Sequence, residues 1–110
     1  FVSLDVARHA ILGEDAPLAL EAALEAAKSA WARGRTRELD EAGKLAVRAA
    51  TLAGAAPASV GQAYFWSGRA AQARGEVAEA KQAFESAVSQ FSAAADVRGE
   101  AEARLGLGWA

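Results

Sequence analysis

The chain has 110 residues, 53% hydrophobic and 24% charged, a balance that sustains one folded unit and excludes a disordered one. A formal charge of −2 and a pI of about 5.4 exclude a global field able to draw in a nucleic-acid backbone or an anionic membrane. Cysteine is absent, which excludes disulfides and thiolate chemistry; with no uninterrupted apolar run near the roughly eighteen residues of a membrane span, the chain reads as cytoplasmic.

Apolar residues at helical spacing, broken at glycine, proline and capping residues, predict six helices near 1–12, 17–33, 38–54, 60–74, 77–95 and 98–110. The expected fold class is all-α. About three residues in ten are alanine, the strongest helix former and small enough to let helices approach closely. In the first segment Phe1, Val2, Leu4 and Val6 alternate as in a strand, but Ala7 to Leu12 favour helix. That segment also holds the one histidine, His9, a helical turn after Asp5. A lone imidazole and one carboxylate, with no third ligand or nucleophile nearby, read as a surface ion pair rather than a metal or acid–base site.

The second segment opens at Asp15 before Pro17 and closes at Gly34, where Arg33, Arg35 and Arg37 form a basic cluster. Arg33 complements the helix dipole there, and the cluster is a secondary candidate for gripping an acidic partner. Thr36 before Glu38 opens the third segment; Ser59 with Gln62, in the pattern of a capping box, opens the fourth. The fourth carries Tyr64, Phe65 and Trp66 in succession, about 100° apart on a helix, so the three cannot all face inward. Gly13, Gly34, Gly54 and Gly75 each follow a helical run as left-handed stops, and Asp96 opens the sixth segment. Leu105-Gly106-Leu107-Gly108 lies inside an amphipathic run and forms no phosphate cradle.

Three pairs echo one another at 38 residues: Gly61 with Gly99, Ala42 with Ala80, and Gly68 with Gly106. Short loops force consecutive helices into antiparallel hairpins, and a hairpin that cannot bury its own apolar face needs a neighbour, so the echo predicts a stacked array. The expected organisation is one helical-repeat domain, a fragment of a longer chain: an end of a preceding unit at 1–18, units at 19–56 and 57–95, and the first helix of a third at 96–110.

Tyr64, Gly68, Gly75, Ala80, Phe84 and Ala87, with the Leu-Gly-x2-aromatic step of Leu105, Gly106 and Trp109, fall at intervals that resemble the tetratricopeptide repeat family over about residues 19–110. The chain departs from that family in its 38-residue spacing, against about 34, and in Ala71 where a second aromatic stands. The resemblance implies a right-handed solenoid whose first helices line a concave face. It places Lys28, Trp31, Gln62, Phe65, Arg69, Gln72 and Arg104 there as partner-binding residues, with Trp66 beside or behind them. Asparagine is absent, so the likeness does not extend to the family's clamp for C-terminal carboxylates. Longer units of this kind look like those of multidomain bacterial regulators and signalling ATPases.

No catalytic, cofactor-binding or metal-binding residue is assigned. The expected function is a non-catalytic scaffold for a protein or peptide partner. The alternatives are a sensory segment of a transcription regulator or signalling ATPase and, remotely, an enzyme built on His9 and Asp5. Direct nucleic-acid or membrane binding is not expected. Apolar Phe1, Val2, Leu105, Leu107 and Trp109 at the ends suggest self-association.

Overall fold

The computed structural model describes residues 2–109, with side chains from Ser3 to Gly108, so the parts of these expectations that fall on Phe1, Ala110 and the side chains of Val2 and Trp109 lie outside it. Six helices follow one another: α1 Val2–Leu12, α2 Ala16–Ala32, α3 Thr36–Ala53, α4 Pro57–Ala73, α5 Val77–Ala93 and α6 Val97–Trp109. The described residues contain no strand; the alternation at the chain start is overridden by the helical run behind it.

Each pair of helices is joined by three residues, and all five turns are built alike. The N–H groups of Asp15, Arg35, Ala55, Glu76 and Asp96 donate to carbonyls five residues back, on Ala10, Ala30, Ala50, Ala71 and Phe91, at 2.8 to 3.1 Å. That bond closes only when the residue before the donor turns left-handed, and Glu14, Gly34, Gly54, Gly75 and Ala95 do so, with φ from 55° to 76°. Gly13, expected as a left-handed stop, is not one; Glu14 takes that conformation instead.

Helix starts follow caps and proline. The Leu18 N–H donates to Asp15 Oδ1 at 3.3 Å and the Gly99 N–H to Asp96 Oδ1 at 2.9 Å, as the sequence led us to expect. The fourth helix differs: it opens at Pro57 with Ala56 as its cap, and Ser59 lies within the first turn rather than capping it. The proline ring fixes a helical φ and lacks the N–H that a cap would have to satisfy, so the helix begins there. Likewise Thr36 is already helical, with Arg35 in the cap position.

Inward positions are filled mainly by alanine, in three clusters that succeed one another along the chain. The first joins α1, α2 and α3 through Ala7, Ala22 and Ala46; the second adds Leu39 and Ala70; the third centres on Phe84 and Phe91 of α5. Among the described residues, helix backbones approach closely only between helices one or two apart: each consecutive pair, together with α1–α3, α2–α4 and α4–α6. Ion pairs tie the outer surface in the same pattern. Arg8 of α1 bridges Asp5 and Glu41 of α3, and Arg74 after α4 bridges Asp40 of α3 and Glu79 of α5.

The 38-residue echo has a specific structural cause. A methyl group at Gly61 or Gly99 would come within 2.9 or 2.5 Å of the Phe91 ring, and one at Gly68 or Gly106 within 2.8 or 2.6 Å of the Phe84 ring. Both rings of α5 are therefore held between bare backbone of α4 on one side and of α6 on the other. The elements themselves recur at a different interval: α2, α4 and α6 open at Ala16, Pro57 and Val97, 41 and 40 residues apart. The two glycine pairs of the echo mark the sides that enclose α5, not the period of the helices; the Ala42 and Ala80 pair lies on α3 and on α5 itself.

Candidate partner-binding cleft

A cleft of about 400 Å³ runs between α2, α4 and α6. Lys28 comes from α2, Gln62, Phe65 and Trp66 from α4, Asp96 from the turn before α6, and Arg98 and Glu102 from α6; Phe91 and Gly99 close its floor. Three elements converge here because α2, α4 and α6 touch in succession along one side of the molecule.

The aromatic residues form a continuous path from cleft to core. Phe65 is only 8% exposed and meets Phe84 edge-on at 5.8 Å between ring centroids; Trp66 meets Phe65 at 5.2 Å and Trp31 at 6.5 Å, again edge-on. Such geometry sets positive ring edges against negative ring faces. Trp31, 42% exposed, is the outermost of the four. Phe65 thus serves packing and cleft together, with most of its surface committed to the core.

Arg69, one turn beyond Phe65 on α4, lies over two of these rings, with its guanidinium carbon 4.6 Å from the Trp31 centroid and 5.0 Å from that of Phe65. It donates through Nη1 to Gln72 Oε1 at 3.4 Å, and its buried Nε has no hydrogen-bond partner among the described residues. Burial pulls the Arg69 guanidinium below the ordinary arginine value, against the field of Glu102, which raises it. The guanidinium is thus held against ring faces, with Nε shielded from solvent as well as unbonded.

Of the residues expected on a binding face, Lys28, Gln62 and Phe65 share the cleft; Trp31, Arg69 and Gln72 continue the same side by ring and hydrogen-bond contact. Arg104 does not line the cleft: it is exposed and pairs with Glu100 at 2.9 Å. Asp96, Arg98 and Glu102 line it and were missed. The cause is register. Carrying Gln62 forward by the 40-residue interval of the helices reaches Glu102, whereas the 38-residue echo steers the reading to a different side of α6.

His9 and Asp5 lie elsewhere, along a shallow depression on α1, where the Asp5 carboxylate accepts from Arg8 Nη1 at 2.9 Å. Among the described residues no three His, Cys, Asp or Glu side chains converge on a point that would hold a metal ion, and no helix is long and apolar enough to cross a membrane. Arg33, Arg35 and Arg37 are exposed around the turn between α2 and α3. Compared with known proteins, the chain matches no family model, no curated protein and no solved structure.

Proposed function

We propose that the chain is a non-catalytic interaction segment: antiparallel helical hairpins stacked in a right-handed array of the tetratricopeptide kind, holding a peptide or a stretch of a protein partner between α2, α4 and α6. The regular 41- and 40-residue recurrence of alternate helices, with contacts among the described residues confined to near neighbours, supports stacking by translation. The observation that carries the reading is the cleft, with its aromatic floor, charges of both signs from Lys28, Arg98, Asp96 and Glu102, and the Arg69 cation stacked on Trp31 and Phe65 alongside. An extended chain laid there gains apolar contact and directional hydrogen bonds together.

Peptides selected from a random phage-displayed library against the 110-residue chain supply the probe. Their affinities, read by fluorescence anisotropy, are compared for wild type, Lys28→Glu and Gln62→Arg, two exposed positions whose substitution leaves the core intact. Each variant is expected to weaken binding about tenfold or more, equivalent to about 1.4 kcal/mol. Equal affinity in all three removes the cleft as the docking site.

A further inference from the structure

A smaller hollow, of about 250 Å³, lies where the turn between α2 and α3 meets the end of α4. Ala30 and Trp31 close it from α2, Arg35 from the turn, Leu39 from α3 and Ala73 from α4, and none of these residues lines the cleft. The hollow is interior to the array. Among the described residues helices touch only those one or two places along, and α3 and α4 have the helices one and two places away present on both sides.

Trp31 gives the hollow its character. The ring is exposed, yet it is braced edge-on by Trp66 and capped by the Arg69 guanidinium. A large aromatic surface already held in place loses little side-chain freedom when a partner group arrives. The volume selects the kind of group. Sites for free small molecules hold roughly 300–1,000 Å³, so this one is on the scale of a single leucine or phenylalanine side chain projecting from a longer chain. Charge selects what stands beside that group. Among the described residues lining the hollow, Arg35 is the one charged side chain, and Arg33 and Arg37 are exposed on either side of it in sequence. Arg35 and Arg37 stand at the start of α3, where the helix dipole opposes positive charge, so they do not serve the helix itself. Two carboxylates near the end of α4, those of Asp40 and Glu79, are both held by Arg74. We propose that the hollow is a second docking site, separate from the cleft, which receives a large apolar side chain from a peptide segment of a protein partner and pairs Arg35 with an aspartate or glutamate next to it.

The probe is a short fluorescein-labelled peptide with one phenylalanine flanked by aspartates, titrated against the 110-residue chain and read by anisotropy. Companion peptides carry alanine in place of the phenylalanine, or lysines in place of the aspartates, and need no change in the protein. The chain is expected to bind each companion at least tenfold more weakly than the parent peptide. Ala73→Leu, at an exposed position, fills the hollow, and Arg35→Ser removes the cation while placing a favoured capping residue before α3. Each should weaken the parent peptide about tenfold, whereas Lys28→Glu, in the cleft, should leave its affinity unchanged. Affinity lost in Lys28→Glu but kept in Ala73→Leu and Arg35→Ser overturns the proposal and gives the peptide to the cleft. Equal binding of parent and companions, or no binding up to about 1 mM, the weak limit of the affinity scale, overturns it too. So does binding to phosphatidylserine vesicles that Arg35→Ser abolishes while no peptide binds, which would assign the arginines to a lipid surface.

Discussion

Phe84 is fully buried, and its ring occupies space left by two glycines on different helices. Truncation removes a large apolar side chain and leaves a cavity that the small residues around it cannot fill, so Phe84→Ala should cost about 3–5 kcal/mol in urea denaturation. Among substitutions in this alanine-filled interior it should be the most damaging. Arg69 presents the opposite case. Its guanidinium is half withdrawn from water, with no carboxylate within ion-pair distance among the described residues and Nε unbonded. Replacing such a group with a long, unbranched apolar one relieves desolvation, so Arg69→Met should leave the urea midpoint unchanged or raise it. A clear loss of stability would mean that the stacking on Trp31 and Phe65 outweighs the cost of burial.

The five three-residue turns use one conformation, but only three place glycine at its left-handed position. Ala95 pays about 1–2 kcal/mol for φ of 55°, and the extra backbone entropy of glycine returns part of it, so Ala95→Gly should stabilise the chain by about 0.5–1 kcal/mol in thermal or urea unfolding. Gly54→Ala, at φ of 58°, should destabilise by a similar amount. Between α1 and α3, the hydrogen bond and positive charge of Arg8 hold the Glu41 carboxyl below the usual glutamate range. A depressed carboxyl pKa stabilises the fold above the unfolded value, near 4.3, and that contribution is lost as pH falls through the folded value. The urea midpoint should therefore fall between pH 6 and pH 3 more steeply for wild type than for Glu41→Gln; parallel curves would show that the pair adds nothing. Helix number, order and most stops were legible because alanine content, glycine and short polar turns act locally. The start at Pro57 was misread because Ser59 and Gln62 imitate a cap that proline renders unnecessary. Glu102 and Arg98 were not legible because their placement depends on how α6 rotates against α5, which no local signal specifies.

At the scale of the molecule, helices meet only near neighbours among the described residues, so contacts there are local in sequence and folding should proceed without closing long loops. Within that pattern the Phe84 and Phe91 rings of α5 couple its two neighbours, since each touches a glycine of α4 on one side and a glycine of α6 on the other. A methyl added at Gly61 presses the Phe91 ring toward Gly99, and a methyl at Gly99 presses it back. The two substitutions should therefore be non-additive: in a double-mutant cycle, Gly61→Ala with Gly99→Ala should cost more than the separate losses combined, by roughly 0.5–3 kcal/mol. Additive losses would mean that the ring has room to yield. Through one shared aromatic plate, strain introduced in α4 becomes thermodynamically visible in α6, thirty-eight residues away along the chain.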